Sequence, residues 1–179
     1  MYKYSIKVFV IVLGAFTFFS PLFFHYAFAA TEADLILQTA KLWRVVDGDT
    51  VEVVLVGDDF IEENVKRIRV AGIQTMEVGK NSGEQSDCHA DEAESRYAEL
   101  LGNPIAGDPT NPDVTLKILD LASESRGRLL RYVFYDPGTG EFDPGKVLIE
   151  ESLALALPLE SETVYNEDYL LAQHVARAG

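Results

Sequence analysis

A single cysteine in 179 residues, Cys88, excludes a disulfide framework, so the fold must be held by its core. Basic residues are also scarce. Fifteen Lys and Arg stand against 29 Asp and Glu, a formal net charge of −14. That balance excludes a broad basic surface for gripping a nucleic-acid backbone; any phosphate site must be a local basic pocket in an acidic protein. Internal repeats, low-complexity tracts, sustained heptads and a collagen-like glycine period are all missing. What is present is an apolar fraction of 47% with 11% aromatics. This suffices for the core of one domain and excludes intrinsic disorder.

The first thirty residues are not fold. Lys3 and Lys7 give a short basic start, and the stretch VFVIVLGAFTFFSPLFF that follows carries no charge. Ala27-Phe28-Ala29 is a small-x-small pattern, which predicts a secretory signal peptide over residues 1–29, cut after Ala29. The alternative is an uncleaved anchor, because the uncharged run is long enough to span a bilayer. Pro21 and the Ala-x-Ala end favour cleavage, which makes residues 30–179 an exported domain. Cys88 would then lack a partner in an oxidising compartment, and we expect it to be buried and inert.

Residues 35–45 read as a strand, Asp47-Gly48-Asp49 as a turn and residues 50–56 as a second strand. A third strand follows over 65–73, in which Lys66, Arg67 and Arg69 interleave with Ile68 and Val70. Ala93, Tyr97, Leu100 and Leu101 fall at i, i+4, i+7 and i+8, predicting a helix over 91–101 that Gly102-Asn103-Pro104 stops. Residues 114–121 and 128–135 read as two further strands. Residues 147–157 and 166–178 look helical, split by Pro158. Five strands, an intervening helix and closing helices predict a mainly β, α+β chain: a five-stranded Greek-key barrel such as the OB-fold.

Taken singly, the charged residues of the strands and turns mean little. A carboxylate in a turn is usually turn chemistry, and an arginine in a strand is usually solvated or ion-paired. Their arrangement says more. VVDGDTVEV, then RIRVAGIQTME, then SRGRLLRYVFY occur in that order, with HADEAESRYAELL between the second and third. These strings resemble the thermonuclease (staphylococcal nuclease-like) family, over about residues 38 to 178. The resemblance implies an OB-fold nuclease that hydrolyses phosphodiester bonds of DNA or RNA with little sequence preference, assisted by Ca²⁺. By position, it implies Arg69 and Arg128 as phosphate clamps, Glu77 as the base that orients water, and Asp49 as a calcium ligand. Gln74 and the backbone carbonyl of Thr75 would complete the metal set, and Arg126 would touch substrate. The chemistry is consistent: guanidinium groups grip phosphate oxygens in bidentate fashion, a carboxylate activates water, and a hard cation bound by oxygens supplies charge.

Three positions depart from the family pattern. Gln74 stands where the family has a second calcium-binding aspartate, which removes one negative charge from the site. Met76 replaces a loop proline beside Glu77, and Arg126 replaces a motif tyrosine. These departures keep an alternative open: an OB-type binding module with weak or lost turnover. Asp87-Cys88-His89 with Asp91 and Glu92 lacks the paired spacing of a metal cluster and reads as a helix start. Ser125 and Ser152 have no nucleophile-elbow context, and Tyr132 and Phe134 read as barrel core.

Overall fold

Alternation of apolar and polar residues along the first strand is carried by a long element, β1 (Ile36–Asp47), which buries Ala40 and Leu42 on its inner face. The computed structural model describes residues 30–76 and 88–178; the expected leader and Glu77 lie outside the described residues. A tight turn at Gly48 leads from β1 into β2 (Thr50–Leu55), paired antiparallel with it. No larger residue fits at Gly48, because a Cβ there would meet Thr75 Cγ2 at 2.7 Å. Next, β3 (Lys66–Val70) pairs antiparallel with β2. Gly72, in the left-handed region at φ 79°, then breaks the expected long third strand and starts the short β4 (Ile73–Gln74).

Helix α1 (Ala90–Leu100) buries Ala93 and Tyr97 and packs against β1. It is followed by β5 (Asp113–Ile118), the two-residue β6 (Glu124–Ser125) and β7 (Arg128–Phe134). β5 pairs antiparallel with both β1 and β7, while β7 pairs parallel with β3, matching Arg69 to Leu130. The ring β1-β2-β3-β7-β5 is therefore closed, and the chain is α+β with an OB-like five-stranded barrel. Among the described residues, closure leaves no long unpaired strand edge in the barrel. The interior holds Leu42, Val51, Val53, Ile68, Val70, Leu116 and Val133, each no more than 1% exposed. Each such side chain contributes roughly 1.5–3 kcal/mol by leaving water.

Helix α2 (Pro144–Glu150) and helix α3 (Asn166–Ala178) pack on each other, with Leu148, Ile149 and Tyr169 buried. Tyr132, Tyr165 and Tyr169 form an aromatic cluster, the first two edge-to-face at 4.7 Å. Tyr132 and Phe134 are core residues, as their strand position predicts. Asp143 caps α2, its Oδ1 accepting from the Lys146 amide at 3.1 Å, and its Oδ2 accepts a hydrogen bond from the Tyr169 hydroxyl.

Two expectations are corrected here. The helix over 147–157 ends at Glu150: Ser152 adopts φ 62°, and the amides of Leu153 and Ala154 both turn back to the Leu148 carbonyl. The next residues instead form β8 (Leu155–Ala156), which pairs with β4. The sequence favours helix throughout, but pairing with an otherwise unpartnered strand decides the outcome. Cys88 is the second correction. It is exposed, because the buried face of α1 starts only at Ala90, after a turn that puts His89 in the left-handed region at φ 66°.

Candidate functional site

The site grows from the first hairpin. The turn between β1 and β2 is held by the Asp49 amide, which donates to Asp47 Oδ1 at 3.1 Å. This is an Asx-type turn, and it presents the Asp49 carboxylate toward β3. There Asp49 Oδ2 lies 3.0 Å from Arg69 Nη2, an ion pair in which both side chains are less than a tenth exposed. Arg69 is buried because its strand neighbours are core, and it answers that burial with carbonyl contacts: Nη1 donates to Val70 O at 2.8 Å.

From this pair a continuous chain of hydrogen bonds runs both ways. On one side the Thr50 hydroxyl donates to Asp49 Oδ1 at 3.1 Å and accepts from Arg128 Nη1 at 2.9 Å. On the other, Arg69 Nη2 donates to Gln74 Oε1 at 2.8 Å, and Gln74 Nε2 donates to the Thr75 carbonyl at 2.9 Å. The Thr75 amide returns to Asp49 Oδ2 at 3.2 Å. Asp49, Arg69, Gln74, Thr75 and Arg128, far apart in sequence, thus meet in one network.

Asp49, Arg69, Gln74 and Arg128 line one face of an open hollow of about 500 Å³, together with Asp47, Arg126, Leu157 and Leu159. Arg126 is exposed at the rim. It sits at φ 52° with Gly127 at φ 75°, the two central residues of a type I′-like turn that joins β6 to β7 and fixes where Arg128 begins. Three of the protein's few basic residues therefore face one hollow in an acidic molecule. Burial pushes the Asp49 pKa above the ordinary carboxylate value; Arg69 opposes the shift and Asp47 adds to it.

Of the residues expected from sequence, the structure brings together all except Glu77, which lies outside the described residues. Asp47 joins them without having been expected, although its two-residue spacing to Asp49 across the turn is a usable signal. Leu157 and Leu159 carry no such signal, since they reach the hollow only through the unexpected pairing of β8.

The donors around Asp49 suit a hard cation in kind: a carboxylate, the Gln74 amide oxygen and the Thr75 carbonyl, with Asp47 beside them. Their oxygens are engaged, however, with Arg69 and with one another. Among the described residues, no group of three or more His, Cys, Asp or Glu side chains gathers to hold a metal ion.

Neither protein-family models nor the curated proteins give a match to this chain.

Proposed function

We propose that this protein is an exported nuclease of the thermonuclease kind, hydrolysing phosphodiester bonds of DNA or RNA on a Greek-key OB barrel with α1 between its third and fourth strands. One observation carries the reading: Arg69 and Arg128, from two paired strands, join Asp49 through a single hydrogen-bonded network at one hollow. Arg128 gives Nη1 to Thr50, and its Nη2 makes no hydrogen bond to the described residues, so this group is ready to take a phosphate oxygen. Arg69 offers the second contact from the hollow's floor. Arg126 at the rim receives a neighbouring phosphate of the strand. Glu77, three positions beyond Gln74, serves as the base that orients water. Asp49, Gln74 and the Thr75 carbonyl would hold Ca²⁺, whose charge offsets that of the five-coordinate phosphorus.

The test is hydrolysis of single-stranded and duplex DNA and of RNA, with Ca²⁺ and with chelator. Removing one guanidinium should cut the rate by about a hundredfold or more, the usual cost of losing a preorganised charge donor. Near-native turnover in both Arg69→Ala and Arg128→Ala refutes the assignment.

A second reading has its own support. Gln74 pins Arg69 from one side and Asp49 pins it from the other, so a phosphate must compete for the same Nη2. A catalytically weak binding module fits that arrangement. It predicts oligonucleotide binding that Arg128→Ala abolishes, without calcium-dependent hydrolysis.

A further inference from the structure

We propose that Met76, Cys88 and His89 form a binding site for a soft metal ion, Cu(I). All three line one small hollow of about 60 Å³, walled by Leu153, Ala154 and Leu155. The scarcity of these residue types gives the meeting its weight. Cys88 is the only cysteine of the chain, and Met76 is the only methionine besides Met1. No sequence spacing joins Met76 to the Cys88-His89 pair; the fold does.

The donor chemistry selects the ion. A thiolate and a thioether are soft ligands that favour Cu(I), and imidazole completes a three-coordinate set that Cu(I) accepts. Calcium and magnesium find too few oxygens here, and zinc gains little from a thioether. The apolar wall suits a monovalent ion of low charge density, which has little hydration to lose. The His89 ring has a carboxylate partner, with its Nδ1 2.8 Å from Glu92 Oε2. With its proton on Nδ1 the ring would have the Nε2 lone pair for a metal, the carboxylate–histidine arrangement common at metal centres. Cys88, His89 and Met76 are all exposed, so an ion reaches them without opening the core. Binding replaces the Cys88 thiol proton, which leaves to solvent as the metal–sulfur bond forms. Gln74 lines both this hollow and the larger one, so the copper site lies behind the Arg69 network and shares none of its charged groups.

The test is anaerobic titration of the full chain with Cu(I) against a chromogenic chelator, followed by X-ray absorption at the copper edge. One Cu(I) per chain with mixed sulfur and nitrogen ligation is expected. Cys88→Ser should abolish binding, while Met76→Leu and His89→Gln should each weaken it at least tenfold with unchanged circular dichroism. If either of these two variants binds as the wild type does, three-coordinate ligation is refuted and a bare surface thiol remains. Zn²⁺ that displaces equimolar Cu(I) also refutes the proposal.

Discussion

Asp143 should make the folded chain lose stability as pH rises from about 4 to 6, against the trend of most carboxylates. Part of the residue reaches solvent, but its carboxylate is enclosed between the start of α2 and the Tyr169 ring. Burial pushes its pKa up to about 6 from the ordinary 3.8, despite the opposing hydrogen bonds from Tyr169 and the Lys146 amide. Between those values the folded chain keeps a proton that the unfolded chain has released, so stability falls as pH rises through the window. Each pH unit of displacement is worth about 1.4 kcal/mol, which sets a ceiling of about 3 kcal/mol. Glu52 and Glu151, held below the usual range by their arginine partners, act with the opposite sign, so the raw pH curve mixes the two. Asp143→Asn separates them. Asparagine keeps an oxygen for the Lys146 amide, and its own amide can donate to the Tyr169 hydroxyl. Urea unfolding of both proteins from pH 4 to 7 should show the variant gaining on the wild type by up to about 3 kcal/mol. A difference that stays constant with pH, or runs the other way, refutes the reasoning.

Gly72→Ala should cost about 3 kcal/mol or more in urea unfolding, because the new Cβ would stand 2.4 Å from Tyr169 Cε2 on a backbone at φ 79°. Asn111→Ala should cost roughly 2–3 kcal/mol by the same measurement: its side chain, itself buried, donates to the carbonyls of Leu42 and Ile105 and accepts from the Ile105 amide. Glu52→Gln should cost about 1 kcal/mol, less at high salt, since Arg44 and Arg67 share this carboxylate across three strands but are themselves about half exposed. Gln74→Asp should raise calcium affinity by on the order of tenfold in calorimetry, the effect of one added anionic oxygen ligand. Equal affinity would mean that position 74 serves Arg69 alone.

Much of this is legible in the chain. The strands of the barrel follow from alternation, and α1 follows from Ala93 and Tyr97 at helical spacing. What escapes reading is decided by contacts distant in sequence. VLIEESLALAL has good helical propensity, yet Leu155 and Ala156 find β4 and become a strand. Arg69, Arg128 and Asp49 stand out by their motif context. The capture of Arg69 by Gln74 does not, because it depends on Gly72 turning the chain so that position 74 comes back over position 69. Cys88 defeats the expectation for a different reason. A lone cysteine is usually core, but this one precedes the first buried turn of its helix.

The parallel pairing of β3 with β7 sets Arg69 beside Leu130 and fixes Arg128 two residues upstream on the same strand. It is also the contact that closes the barrel. Because strand side chains alternate, a slip of one residue in that pairing would turn Arg128 to the opposite face and dismantle the cluster. Chain completion and assembly of the basic hollow are therefore one event. A barrel left open at this ladder, or closed out of register, would not bring Arg69 and Arg128 to one hollow, so the proposed phosphate site depends on this pairing. During refolding, recovery of the proposed phosphate binding should coincide with barrel closure.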